Sequence, residues 1–222
     1  MKNFKKTGVL AFAVFVFLLG GKSAQADGFA LAAKAGTLGA GVELTTNIVP
    51  MMLNGRIQVN GFRYNTTVTD TNVKYDAKLK LFSIGALADL YPMAGKFRLT
   101  GGIYYNGNKL DITGVPNANS FTFNGTTYTS AQVGSVNGTM DFNNFAPYVG
   151  IGWGDAVSSG SPLGFNIDLG VLYQGKPKTS ISTSSTVAGL AADIAAEQAR
   201  LDNTVKNFKF YPVASVGISW HF

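Results

Sequence analysis

The chain has 222 residues, contains no cysteine and carries a formal net charge of +6. For an exported protein, the lack of cysteine excludes disulfides, thiolate chemistry and cysteine-ligated metals. The charge gives no case for nucleic-acid binding, because four of the 18 basic residues lie in an N-terminal segment that we expect to be removed, which leaves 14 basic and 12 acidic residues.

Residues 1–26 have the three parts of a secretory signal peptide. Three lysines form the positive region, an apolar run extends from Gly8 to Gly20, and Ala24-Gln25-Ala26 supplies the small residues of a cleavage site. An uncleaved anchor would have to cross about 30 Å of hydrocarbon, for which this run is short. We therefore predict cleavage near Ala26 and a single mature domain, residues 27–222.

The mature chain shows strand patterns and no run of roughly 18 apolar residues that would make a transmembrane helix. In lipid, every backbone group must be paired within the protein, so a membrane protein without such helices is a closed β-barrel. The first region, Phe29 to Thr46, contains glycines that allow either two strands turning near Gly36–Gly39 or one long kinked strand. Because single-chain bacterial barrels have even strand counts, we predict eight strands.

The next two strand regions alternate but change phase. Residues 53–60 alternate apolar and polar side chains, and Phe62 and Tyr64 indicate a slip near Gly61. In residues 73–90, lysines oppose apolar residues at first, and the apolar set then moves to the other parity. We expect a β-bulge near Leu81–Phe82, with the lysine-rich half beyond the membrane.

Four later segments alternate over about ten residues, the length of a tilted transmembrane strand. They are residues 97–106, 144–153, 164–174 and 213–222. Barrels of this class have short periplasmic turns and long external loops. Short connections with Pro or Gly occur at residues 47–52, 91–96 and 155–162, and longer ones near 69–70, at 114–141 and at 184–205.

Two of the long connections carry structure of their own. The loop at 114–141 predicts a hairpin around Asn124-Gly125. Apolar residues recur at helical spacing from Val187 to Val205, which predicts a helix of four to five turns in a loop at about 185–205. Its apolar stripe could cap the barrel mouth, lie on the lipid surface or contact a partner.

The signal peptide, the alternating strands and the terminal Ser219-Trp220-His221-Phe222 resemble small outer-membrane β-barrels of Gram-negative bacteria, such as the OmpA transmembrane domain, OmpX and OmpW. The resemblance covers residues 27–222 and implies an antiparallel up-and-down barrel in the outer membrane. It also implies that Ile218, Trp220 and Phe222 form the signal read by the barrel-assembly machinery. We expect a monomer.

The inward positions of the predicted strands include charges of both signs. They are Glu43, Arg56, Asp89, Arg98 and Asp168. The interior of an eight-stranded barrel is just wide enough for side chains to fill, so these groups predict a paired, buried network, because unpaired charges there would cost several kcal/mol each. A structural plug is favoured, and a narrow polar conduit or gate is the alternative.

No residue pattern indicates catalysis, a metal or a cofactor. His221 is the only histidine and lies beside the C-terminus, where the sequence pattern gives no nucleophile that would be within hydrogen-bond reach of it. The glycine runs at Gly36–Gly41 and Gly150–Gly154 lack the strand-to-helix context of nucleotide-binding loops. We therefore expect a protein that is not an enzyme.

Residues near the predicted strand ends suggest contacts with the bilayer. Aromatic side chains there indicate interface girdles: Tyr91, Phe97, Trp153, Tyr173, Trp220 and Phe222. Lysines of the predicted external rim either contact lipopolysaccharide phosphates or form a solvated rim: Lys109, Lys176, Lys178, Lys206 and Lys209.

Three interpretations of function and fold follow from these patterns. The first is an outer-membrane barrel with a structural or interaction role. The second, which the resemblance to OmpW implies, is a narrow channel or transporter for small, hydrophobic solutes. The rival fold is a soluble β-barrel in which the apolar faces point inward.

Overall fold

The structure is a computed structural model that describes residues 28–69, 73–93, 95–116, 120–154 and 162–221. The predicted signal peptide and Phe222 lie outside these residues. The strands, in chain order, are β1 Phe29–Gly36, β2 Gly39–Val49, β3 Leu53–Thr69, β4 Val73–Leu90, β5 Phe97–Asn106, β6 Lys109–Pro116, β7 Ser120–Phe123, β8 Thr126–Thr129, β9 Val136–Asp141, β10 Phe145–Trp153, β11 Leu163–Tyr173, β12 Lys178–Thr183 and β13 Phe210–His221. The helices are α1 Ser130–Val133 and α2 Leu190–Val205.

Eight of the strands close into an antiparallel barrel. The order around the barrel is β1, β2, β3, β4, β5, β10, β11, β13, and β13 pairs with β1 so that His221 lies opposite Ala30. The predicted eight strands are confirmed. Both described chain ends lie at one end of the barrel, here called the periplasmic end, and the opposite end is called the external end.

The first region, Phe29 to Thr46, forms two strands rather than one. Gly36 pairs with Gly39, so only Thr37 and Leu38 connect β1 to β2. Gly39 has a φ of +103°, a conformation that side chains disfavour, and a β-carbon there would lie 2.6 Å from the Gly61 carbonyl oxygen. The tight turn at the external end therefore depends on this glycine.

The barrel is apolar outside and polar inside. On β3, Ile57 is 59% exposed and its neighbour Arg56 is 3% exposed. On β10, Val149 is 67% exposed, whereas Tyr148 is buried. A soluble barrel would have the reverse arrangement, so the exposed apolar surface identifies the lipid-facing side of a membrane barrel.

Beyond the barrel, β3 and β4 continue into a second region at the external end. The periplasmic half of β4, residues 83–90, pairs with β5, and its external half, residues 73–80, pairs with β6. Across the sheet, β6 pairs in turn with β9, and β9 pairs with β12. The strands β3, β4, β6, β9 and β12 are called the external sheet. The hairpin β7–β8, α1 and α2 cover one of its faces, with a core of Tyr128, Val133, Leu190 and Ile194.

The helix α2 protects the free edge of the external sheet. The Gln198 side-chain oxygen accepts a hydrogen bond from the Ile181 N–H of β12 at 3.3 Å, and the Thr179 hydroxyl donates to Asp202. Uncovered edge strands invite pairing with other chains, and this helix blocks that edge. Neither helix of the described part of the chain is long and apolar enough to cross a membrane.

The two predicted bulges are wrong. The ladder between β3 and β4 runs from Leu53 opposite Leu90 to Thr69 opposite Lys74 without a register shift. Phe62 and Leu81 therefore lie on the lumen side of the wall, and Arg63 and Lys80 on the outer side. The residue types change while the backbone continues: on the outer side apolar residues give way to Arg63 and Lys80, and on the lumen side polar residues give way to Phe62 and Leu81.

Candidate functional site: a charged layer inside the barrel

Six charged side chains meet in one layer of the lumen. Three are cations and three are carboxylates, so the layer is neutral. All six are at most 6% exposed: Lys34 of β1, Glu43 of β2, Arg56 of β3, Asp89 of β4, Arg98 of β5 and Asp168 of β11. Each occupies an inward position of the two-residue alternation along its strand.

Arg56 lies at the centre of the layer and contacts all three carboxylates. Its Nε lies 2.6 Å from Asp89 Oδ2, and its Nη2 donates to Asp89 Oδ1 at 2.9 Å. Its Nη1 lies 3.1 Å from Glu43 Oε2, and its Nη2 lies 3.3 Å from Asp168 Oδ1. The two-point contact with Asp89 uses the planar fork of the guanidinium, which suits it to buried pairs.

The other two cations complete the network. Lys34 Nζ lies 2.9 Å from Glu43 Oε2 and 2.5 Å from Asp168 Oδ2. Arg98 Nη2 lies 2.6 Å from Asp168 Oδ1, and its Nη1 donates to the Gly154 carbonyl oxygen at 2.5 Å. Six strands are thereby joined through side chains, in addition to their backbone ladders.

The composition of the layer limits its chemistry. Each carboxylate is paired with at least two cations, and Asp89 also accepts a hydrogen bond from Thr100 at 2.7 Å. Removing one partner of such a buried pair typically costs about 3–5 kcal/mol, because it leaves an uncompensated charge. Among the described residues, no group of acidic, histidine or cysteine side chains is placed to hold a metal ion.

A second, mostly apolar layer lies on the external side of the charges. It consists of Leu38, Leu87, Tyr104, Ala146, Tyr148, Leu172 and Val213, all buried. The Tyr104 and Tyr148 rings meet edge to face with centroids 5.5 Å apart, and Gln58 donates to the Tyr104 hydroxyl. The cavity between the two layers measures about 10 Å³, counted as space for the centre of a water molecule. That is about the room needed for one water.

The structure brings together all five charged residues selected from the sequence, and adds Lys34. In β1, Ala30, Ala32 and Lys34 are buried, and Phe29 and Leu31 are exposed. The same alternation was legible in the sequence. This alternation puts Lys34 on the same side as Ala30 and Ala32, so it is the signal that identifies Lys34 as an inward residue.

Two other sets of predicted residues lie on the barrel surface. Ile218 and Trp220 lie on the lipid-facing side of β13, and their role in assembly stays a prediction. Trp153 and Tyr173 are exposed, as girdle residues should be. Tyr91 is not a girdle residue: it is buried, and Asn54 donates a hydrogen bond to its hydroxyl at 3.3 Å.

A polar cluster fastens the external helix to the hairpin. The Tyr128 hydroxyl donates to Asp193 Oδ2 at 2.6 Å, and Asn124 donates to Asp193 Oδ1 at 3.2 Å. These hydrogen bonds hold the pKa of Asp193 below its ordinary value and raise the pKa of the Tyr128 hydroxyl. The apolar stripe predicted from the sequence faces the same way, because its Leu190 and Ile194 pack with Tyr128 of the hairpin and with Ile181 of β12.

Comparison with known proteins shows likeness in structure alone. No protein-family model matches the sequence, and a search of curated proteins found no match. Crystal structures of CarO2 and CarO from Acinetobacter baumannii superpose with a TM-score of 0.58 each, at 21% and 22% identity, covering 88% of this chain and 98% of theirs. CarO is an outer-membrane β-barrel of a Gram-negative bacterium. The chain therefore has the fold of a small outer-membrane β-barrel.

Proposed function

We propose that the protein is an outer-membrane β-barrel with a structural or interaction role, inserted after cleavage of its signal peptide near Ala26. One observation carries the proposal: the lumen is filled by a neutral layer of three cations and three carboxylates, and an apolar layer lies directly above it. We expect such a lumen to block a continuous water path, which leaves the wall and the external region as the surfaces available for function.

The external region supports an interaction role. It has its own core around Leu190 and Ile194, and α2 covers the β12 edge that could otherwise pair with other chains. A region built and protected in this way can present a defined surface outside the cell. We propose no catalytic activity, because the lumen carboxylates are paired with cations and His221 lies at the periplasmic end.

A narrow channel for small solutes is the second candidate. Polar atoms of the lumen favour it: both amide atoms of Asn166 and the side-chain oxygens of Gln58 and Gln174 are buried without a hydrogen-bond partner among the described residues. Buried polar groups of this kind normally bind ordered water. A continuous line of such waters through the lumen would form a narrow polar channel.

Single-channel recording in planar bilayers separates the two candidates. The wild-type protein, with folding checked by heat-modifiable gel migration, is expected to give no conductance steps. The matched variants are Leu38→Gly, which opens the apolar layer, and Arg56→Ala, which opens the charged layer. Steps from the wild type would reject the closed lumen, and steps confined to a variant would identify the layer that seals it.

A further inference from the structure

The outer side of β4 changes from apolar to charged residues between Phe82 and Lys80. Ile84 is exposed on the lipid-facing side, and Phe82 lies on the same side, with its ring 6.5 Å from that of Tyr105. The next residue of this side toward the external end is Lys80. Aromatic rings mark the boundary of the hydrocarbon, so Lys80 lies at the height of the lipid headgroups.

Lys80 belongs to a row of charges that crosses the external sheet. It lies opposite Arg63 of β3 on one side and Lys109 of β6 on the other. The row continues through Asp141 of β9 to Lys178 of β12. Neighbouring strands are about 4.8 Å apart, so three cations stand side by side on adjacent strands at the β3 end of the row.

The protein itself does little to neutralise these three cations. Like charges directly opposite each other on a sheet are destabilising. Within the described part of the chain, Arg63 and Lys80 form no ion pair. Lys109 lies opposite Asp141 and pairs with Asp111 at 3.3 Å, where both side chains are about two-fifths exposed, so the unneutralised charge is that of Arg63 and Lys80. An exposed pair of that kind contributes little. The row therefore has positive charge available for an external anion.

We propose that Arg63, Lys80 and Lys109 bind the phosphate groups of a lipopolysaccharide headgroup in the outer leaflet, an inference that rests on the proposed function. A phosphate carries nearly two negative charges and three acceptor oxygens. The Arg63 fork suits two-point contact with it, and the lysines add point charges. The acyl chains of the same lipid then lie against Phe82 and Ile84, directly below the row.

The remaining rim lysines supply a matched control. Lys176 follows β11, Lys206 ends α2 and Lys209 precedes β13, so none of the three lies on β3, β4 or β6, the strands that carry the three cations. A triple change of these lysines to glutamine alters the net charge as much as the triple variant of the row, Arg63→Gln with Lys80→Gln and Lys109→Gln. Heat-modifiable migration confirms that each variant is folded.

Binding is measured by native mass spectrometry of the full chain in detergent, with rough lipopolysaccharide and its dephosphorylated form as probes. The row variant is expected to bind the phosphorylated lipid about tenfold more weakly, or weaker still, than the wild type does. The control variant should lose much less affinity. Removing the phosphates from the lipid should weaken its binding to the wild type as strongly as the row variant does. Equal losses from row and control variants, or equal affinity for both lipids, would overturn the assignment. Equally tight binding of inorganic phosphate would also overturn it, by making the row a soluble-anion site. A wild-type chain that does not insert into membranes would instead contradict the proposed function.

Discussion

The guanidinium of Arg98 lies directly over Gly152, its partner on the neighbouring strand β10. A β-carbon at Gly152 would lie 2.6 Å from Arg98 Nε. Lys34 lies over Gly217 in the same way, where a β-carbon would be 2.9 Å from Lys34 Cγ. The long charged side chains can therefore cross the lumen because their neighbours on adjacent strands have no side chain.

This arrangement predicts that Gly152→Ala destabilises the barrel. Arg98 is held by Asp168 and by the Gly154 carbonyl oxygen, so it cannot move aside without losing those bonds. We expect a loss of about 1–3 kcal/mol in the free energy of unfolding, as for overpacked cores. The measurement is the urea midpoint of unfolding in liposomes, followed by gel migration.

Gly101→Ala is the control for that change. Gly101 also lies in a barrel strand, but a β-carbon there would have no atom within 4 Å. The expected effect is within about 0.5 kcal/mol, as for surface substitutions. Equal midpoints for both variants would contradict the packing account.

A second prediction concerns the charge balance of the lumen. Arg56→Met leaves three carboxylates facing two cations, and we expect it to cost about 3–5 kcal/mol in unfolding free energy. The double variant Arg56→Met with Asp89→Asn restores the balance, because Lys34, Arg98, Glu43 and Asp168 remain paired. The double variant should therefore be more stable than the single one.

Urea unfolding of the wild type, both single variants and the double variant forms a complete cycle. A strong favourable coupling between residues 56 and 89 is the expected result. Additive losses would mean that Arg56 contributes through packing, and the account based on charge balance would be wrong.

Much of the barrel could be predicted from alternation, because lipid outside and a polar lumen inside impose opposite demands on adjacent residues. Ile57 and Gln58 show this directly: the first is exposed and the second buried, as their types require. The same logic placed Arg56, Asp89, Arg98 and Asp168 inside.

Alternation failed where the surroundings change along a strand. The apolar character of Phe62 and Tyr64 predicts the outer surface for both, whereas the register of β3 with β4 puts them on the lumen side. A pattern of residue types records which side is apolar, and it does not record which side faces the lumen. Phe62 and Tyr64 lie beyond the filled lumen and are 40% and 45% exposed, so at this height an apolar residue type no longer indicates the lipid-facing side, although the backbone continues unchanged.

The third prediction concerns acid. Hydrogen bonds from Tyr128 and Asn124 lower the pKa of Asp193 from its ordinary value of 3.8. A carboxyl group with a lowered pKa in the folded state stabilises that state above 3.8, and the contribution is lost as the pH falls through the lowered pKa. We expect α2 to loosen from the hairpin in that acidic range before the barrel does.

Hydrogen exchange of α2 as a function of pH measures this effect. Asp193→Asn should lower the protection of the α2 amides from exchange at neutral pH, and this protection should no longer fall in acid. Glu197→Gln is the control, because Glu197 is half-buried on the same helix and its ion pair is with Arg200 at 3.8 Å. If the α2 amides still lost protection in acid in the Asp193 variant, the acid response would belong to another titratable group.

The fourth prediction places the membrane boundary on one side of a single strand. Ile57, Val59, Arg63 and Asn65 all share the outer side of β3, because its ladder with β4 has no register shift. Since the chain contains no cysteine, Ile57→Cys, Val59→Cys, Arg63→Cys and Asn65→Cys each carry one spin label. Labels at residues 57 and 59 should collide mainly with oxygen, which concentrates in lipid, and labels at 63 and 65 mainly with a water-soluble nickel complex.

Gln58→Cys, which points into the filled lumen, should give a label accessible to neither reagent. If the labels at 63 and 65 also reported lipid, the hydrocarbon would extend past the charged row, and both the boundary and the lipopolysaccharide site would have to move outward.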